Sequence, residues 1–152
     1  MDRANILRLG SKVQGLRETW IIPGVGLSSN VYVIGSLPIT LIDTGIGGEK
    51  DQLGENLRSA VIFTHAHFDH TSGLKELLRY KTPIVYIHEQ DYYGLRRVLS
   101  KGLKHKKLEG GEIIDTTYPL HVIHTPGHTR GSICLYHKDS GSVFRINLAN
   151  RF

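Results

Sequence analysis

The segment Thr64-His65-Ala66-His67-Phe68-Asp69-His70 holds three imidazoles and a carboxylate within six residues. In an extended segment side chains repeat every two residues, so His65 and His67 point the same way. Where the chain then turns into a helix, Asp69 and His70 approach from the side. Imidazole and carboxylate are ligand types that zinc prefers. As a bare surface cluster they are costly, because close imidazoles repel once protonated. A second cluster is His124-Thr125-Pro126-Gly127-His128-Thr129-Arg130-Gly131-Ser132. Pro126-Gly127 makes a tight turn after a strand and presents His128 at the strand end, as a third histidine ligand. Five of the nine histidines fall in these two stretches, which makes metal chemistry the lead to follow. His121 and His124, on the strand leading in, read as structural or exposed.

The elements that must position these groups are legible in outline. Residues 17–22, 30–35 and 39–43 are rich in β-branched and aromatic side chains and predict strands. Pro23-Gly24-Val25-Gly26 is a turn between the first two. Residues 49–57 predict a short helix. Ala60-Val61-Ile62-Phe63 is a continuous apolar run, the mark of a strand buried on both faces, and the first histidine cluster follows it directly. A helix is expected over 71–80, with Thr71 or Ser72 as its N-cap and Leu74, Leu77 and Leu78 on one face. Residues 84–88 predict a strand and 89–99 a helix. Further short strands are expected at 112–114, 120–124, 132–137 and 142–146. Strands alternating with some helices point to an α/β layered fold with mixed sheets.

The composition bounds the class. The chain has 152 residues, the size of one domain spanning 1–152. Hydrophobic residues are 39% and charged residues 22%, which excludes a disordered or collagen-like chain. No apolar run reaches the ~18 residues of a membrane helix, so no membrane partner is expected. The start shows no secretory signal and there is a single cysteine, Cys134, which together predict a cytoplasmic location. Glycine, at 17 residues, predicts many turns. The net charge of +5 favours anionic partners. Much of it lies in Arg96, Arg97, Lys101, Lys104, Lys106 and Lys107, read as a solvated helix end and loop. No aromatic residue interrupts Arg96–Lys107, which speaks against nucleic acid as a partner.

With both clusters in view, the sequence resembles the metallo-β-lactamase superfamily, and within it the glyoxalase II-like hydrolases. Leu41-Ile42-Asp43-Thr44-Gly45 is similar to the family's early strand and turn. Thr64–His70 followed by Thr71-Ser72-Gly73 is similar to its HxHxDH loop, and His124–Cys134 to its second histidine turn. The resemblance runs from about Ser29 to Phe144. It implies a four-layer αβ/βα sandwich with metals at one edge, between the sheets. By the same resemblance His65, His67 and His128 correspond to ligands of a first metal, and Asp69 and His70 to ligands of a second. Asp43 corresponds to a buried acid that orients the ligand loop, as outer groups do when they fix histidine tautomers. The implied chemistry is attack by a metal-bound hydroxide on a carbonyl or phosphoryl centre.

Two departures shape the expectations. The family's bridging aspartate falls, by count from His128, at Asn147, a neutral and poorer ligand. The family also continues for several more elements and supplies a last histidine, whereas this sequence ends at Phe152, so the C-terminal part of the fold is expected to be incomplete. The segment between Gly45 and Thr64 is compressed against the family spacing. These features predict one tightly bound zinc on His65, His67 and His128, and a second site that is weak or empty; iron and manganese are the alternative metals. The implied function is a zinc-dependent hydrolase that cleaves a thioester or ester-like bond in a small-molecule substrate, with an anionic one favoured. Asp69 is the candidate catalytic carboxylate. The rival is a weak or inactive metal-binding remnant without the second site. A nuclease-like member has only the basic stretch in its favour, and a single-iron sulfur dioxygenase needs the aspartate replaced by Asn147. A counterpart of the helical region that binds glutathione in glyoxalase II is not expected within these 152 residues. An incomplete sandwich leaves an apolar sheet face uncovered, which predicts a homodimer or poor solubility.

Overall fold

The computed structural model describes residues 10–35, 39–46, 57–79 and 82–145. The predicted helix at 49–57 falls almost wholly outside these residues, as do Asn147 and the tail beyond it. Leu57 itself opens a strand.

Eleven strands form two sheets among the described residues. The first sheet takes β1 (Ser11–Lys12), β2 (Thr19–Ile22), β3 (Val31–Ile34), β4 (Ile39–Ile42), β5 (Leu57–Ile62), β6 (Ile84–His88) and β7 (His105–Leu108), in that spatial order. It is mixed: β1 to β4 pair antiparallel, and β4 to β7 pair parallel. The second sheet is antiparallel, in the order β11 (Ser142–Phe144), β10 (Ile133–His137), β9 (Pro119–His124), β8 (Ile113–Asp115).

Alternation along the central strands explains the layering. Val33, Leu41 and Val61 face one side and pack with Trp20, Leu74, Leu77, Leu95 and Leu99 beneath the helices. Their neighbours Ile34, Ile42 and Ile62 face the other side and pack against Leu120, Val122, Ile133 and Leu135 of the second sheet. A strand buried on both faces needs a continuous apolar run, and β4 is buried at every position. The second sheet shows the opposite pattern. Its inward residues are buried, while Ile113, Ile123 and Val143 on its outward face are exposed. Helix, sheet and sheet make three layers, and the fourth layer implied by the resemblance has no element among the described residues.

The helices differ from expectation. The predicted helix over 71–80 is two four-residue pieces, α1 (Phe68–Thr71) and α2 (Leu74–Leu77). Neither Thr71 nor Ser72 is the N-cap; the helix begins inside the histidine motif, with His67 as its extended N-cap residue. A break follows because the amide of Gly73 donates to the carbonyl of Gly45, a tertiary bond in place of a helical one. The predicted helix over 89–99 is a 3-10 segment, Glu89–Leu95, that ends in a single α turn, α3 (Arg96–Leu99). Asp91 in that segment is tied to other loops, and a Cβ on Gly94 would stand 2.5 Å from the Ala66 Cβ, so the chain is held in the tighter form. Strand β7 lies within the lysine-rich stretch read as loop. It is the edge strand of its sheet, where outward lysines discourage pairing with another chain.

Candidate metal centre

The three parallel strands β4, β5 and β6 end at the same edge, where an α/β sheet displays its functional loops. Three segments meet there: Asp43–Gly45 after β4, Phe63–His70 after β5 and His88–Asp91 after β6. The turn between β9 and β10 closes over them from the second sheet, with the Ile133 amide bonded to the Thr64 carbonyl at 2.9 Å.

This arrangement brings together all five residues singled out as ligands. His65 is fully buried, His70 nearly so, and His67, Asp69 and His128 are half-buried. The His65 ring lies 4.8 Å from that of His67 and 4.9 Å from that of His128, and the His67 and His128 rings are 4.6 Å apart. The ligand atoms of His65, His67 and His128 all lie within 4.8 Å of one another, and so do those of His65, Asp69 and His70. His65 belongs to both groups, which makes the five side chains one continuous cluster. His70 Nε2 lies 3.5 Å from Asp69 Oδ2.

Hydrogen bonds settle which ring nitrogens carry lone pairs. Asp43 is buried and holds a left-handed backbone at φ 61°, uncommon for a residue other than glycine. Its Oδ1 accepts the Thr64 amide at 2.8 Å, and its Oδ2 accepts the Thr64 hydroxyl at 2.8 Å and His70 Nδ1 at 2.7 Å. A carboxylate only accepts, so His70 Nδ1 carries the proton and Nε2 presents a lone pair. Thr64 spends its one hydroxyl proton on Asp43 and therefore accepts from His65 Nδ1 at 3.1 Å. His65 Nε2 is then the donor atom. Burial, and after it the charge of Asp43, push the Tyr32 phenol above its ordinary pKa. The donor set thus fits a divalent metal: three imidazoles, His65, His67 and His128, are close enough to share one ion, His65 and His70 have Nδ1 engaged by their neighbours, and a carboxylate lies beside them.

Asp91 is a second buried brace, and sequence reasoning missed it. Its Oδ2 accepts the Ala66 amide, between His65 and His67, at 2.8 Å, and the Thr129 hydroxyl at 2.8 Å. Its Oδ1 accepts the Gly131 amide at 2.8 Å. A Cβ on Gly131 would stand 2.6 Å from the Asp91 nitrogen, so this approach needs glycine. His124 stacks on buried His88 at 3.9 Å and donates Nε2–H to the Arg130 carbonyl at 2.8 Å, supporting the His128 turn from behind. His121 is half-buried on the outward face of the second sheet, near Tyr136. On the open side the centre has an apolar rim: Val25, Leu27, Ile46 and Phe68 are all exposed. Their loops are joined by the bonds Ser29 N to Asp69 O, 2.9 Å, and Ile46 N to Ser28 Oγ, 3.2 Å.

Residues 24–145 match the model of the metallo-beta-lactamase superfamily, and the chain belongs to that family. A probable metallo-hydrolase of Methanocaldococcus jannaschii is 34% identical over 136 residues, covering 77% of this chain and 66% of its own. The hydroxyacylglutathione hydrolase of Salmonella arizonae is 34% identical over 77 residues, covering 51% of this chain and 28% of its own. The chain thus spans less than two thirds of the length of these relatives. Among solved structures, a subclass B3 metallo-beta-lactamase from a soil metagenome library superposes with a TM-score of 0.63 at 21% identity, over 89% of this chain and 62% of that one. That likeness establishes the α/β metallo-β-lactamase fold.

Proposed function

We propose that this protein is a metal-dependent hydrolase that holds one zinc tightly on His65, His67 and His128 and cleaves a thioester or another activated ester. The convergence of those three histidines beside Asp69 and His70 carries the reading. When bound, zinc lowers the pKa of its water to about 7 and polarises the carbonyl under attack. Asp69 is the carboxylate placed to orient the attacking water and take its proton, which is general-base work. His70, aimed by Asp43, offers Nε2 on the same side and with Asp69 forms a second, weaker cation site. The rim of Val25, Leu27, Ile46 and Phe68 supplies apolar contact for an acyl group and excludes water from the reacting bond. The names of the two relatives favour hydrolysis, and that of the Salmonella protein favours an acyl–sulfur bond.

The test is a panel of thioester, lactone and phosphodiester substrates run with zinc and with chelator, alongside metal analysis. We expect thioester turnover that chelator abolishes and zinc restores, with about one zinc retained per chain. His67→Ala loses metal and turnover together. Asp69→Ala lowers kcat about 10²-fold with the tight zinc still in place. Turnover that survives chelator, or ignores Asp69→Ala, removes this mechanism.

A further inference from the structure

An open groove of about 470 Å³ is lined by Glu89, Gln90, Tyr92, Tyr93, Lys107 and Arg130. Three separate elements build it. Tyr92 and Tyr93 come from the 3-10 segment, Lys107 from edge strand β7 and Arg130 from the His128 turn. Arg130 is two residues from His128, and Glu89 and Gln90 lead directly into Asp91, whose carboxylate holds the amide between His65 and His67. The groove is therefore built on the same two segments that brace the candidate centre.

Its chemistry is specific. Lys107 Nζ sits 3.9 Å over the Tyr92 ring, and Tyr92 stacks on His105 at 5.4 Å, so the ammonium is held in place by an anchored aromatic face. The Tyr93 ring, 6.2 Å from that of Tyr92, is 76% exposed, an unusual display for so large an apolar surface. Past Tyr93 a second hollow carries Arg96 and Arg97. Against these four cations the lining holds one carboxylate, Glu89. The sequence sets no aromatic residue between Arg96 and Lys107, but the fold brings Tyr92 and Tyr93 to that basic surface.

We propose that this groove is an anion subsite, taking the planar, negatively charged end of a small substrate whose reactive bond lies at the metal centre. Lys107 and Arg130 hold the charge and Tyr93 stacks on the planar group. The assignment deepens the hydrolase reading and rests on it for the word substrate, whereas binding itself does not.

The probe is phenyl phosphate, a ring with a dianion, titrated into the zinc-loaded 152-residue chain and followed by amide NMR shifts, with and without chelator. We expect saturable binding in both conditions, with shifts at Glu89–Tyr93, Lys107 and Arg130. Lys107→Gln and Arg130→Ala each weaken it about fivefold, and Glu89→Gln tightens it about twofold, the scale of part-exposed charge pairs. Binding that vanishes with chelator, or is indifferent to all three substitutions, overturns the subsite. A single-stranded oligonucleotide that binds more tightly through the same residues replaces it with a nucleic-acid surface. Paired thioesters with neutral and anionic tails separate the two claims. Phenyl phosphate binding with no thioester turnover refutes the hydrolase reading alone. Turnover of both thioesters with equal kcat/KM refutes the subsite alone.

Discussion

Two buried aspartates brace the candidate centre, and they do it differently. Asp43 stands at the end of β4 and touches a ligand ring: its Oδ2 holds His70 Nδ1, and through the Thr64 hydroxyl it sets the proton on His65. Asp91 stands just past β6 and touches no ligand ring among its bonds. It grips the Ala66 amide on one side and the Thr129 hydroxyl and Gly131 amide on the other. Asp43 thus decides which nitrogen faces a metal. Asp91 decides how far the His65–His67 loop of the first sheet stands from the His128 turn of the second. A centre assembled from two sheets needs both devices, one for chemistry and one for distance.

The largest expected effect comes from removing Asp43. Asp43→Ala leaves the Thr64 amide, the Thr64 hydroxyl and His70 Nδ1 without their acceptor in a buried place, a loss of about 3 kcal/mol or more. Urea denaturation measures it. The sharper variant is Asp43→Asn, whose amide nitrogen faces His70 Nδ1 and drives its proton to Nε2. We expect nitrogen-detected NMR to report the changed His70 tautomer, with zinc affinity reduced about 10–100-fold, the scale of losing an outer-shell partner. An unchanged tautomer would mean that Asp43 does not govern it.

Asp91→Ala comes next. It strands two amides and a hydroxyl, for a loss of about 2 kcal/mol, but leaves every ring tautomer as it was. Zinc affinity falls while stoichiometry recovers at high zinc, because the ligands are intact and only their spacing has loosened. Gly131→Ala reaches the same end by steric means, since the new Cβ would stand 2.6 Å from the Asp91 nitrogen. It should weaken zinc in the same direction by a smaller factor. Metal titration checks both, and a Gly131→Ala protein with wild-type affinity would show that the close approach does not set the spacing.

The two braces also differ in how far the sequence revealed them. The candidate ligands were legible because their residue types are rare together: His65, His67, Asp69, His70 and His128 need no fold to look like metal chemistry. Asp43 was legible through a resemblance, at the end of a strand expected over 39–43. Asp91 was not, because its partners are backbone amides that no sequence displays, and Glu89–Leu99 carries a helix-like pattern in which one aspartate looks ordinary. The same tertiary bonds held that segment in a 3-10 form. Strand β7 was hidden for another reason: His105-Lys106-Lys107 has no apolar alternation, since an edge strand with one solvated side needs none. Break points such as Ser72–Gly73 depend on where Gly45 lands, which is a fact of packing.

The smallest expected effect tests whether Asp91 acts locally or whether any loosening between the sheets weakens the centre. Tyr118 lies at the opposite end of β9 from His124, and its hydroxyl meets the Thr19 hydroxyl at 2.5 Å, joining the two sheets far from the ligands. Burial raises the Tyr118 phenol above its ordinary value of 10.0, and the bond to Thr19 offsets part of that rise. With the folded pKa above the unfolded one, the folded state keeps its proton longer. The associated stability is complete below about pH 10 and is lost as pH rises through the folded value. Tyr118→Phe removes both the bond and this alkaline loss. We expect it to lower stability at neutral pH by about 1 kcal/mol and to flatten the decline above pH 10, seen by urea denaturation across pH. Zinc affinity should stay at the wild-type value, because neither ligand loop touches this contact. A fall in zinc affinity as large as that of Asp91→Ala would make the spacing of the whole sandwich, and not the Asp91 carboxylate, the quantity that sets the centre.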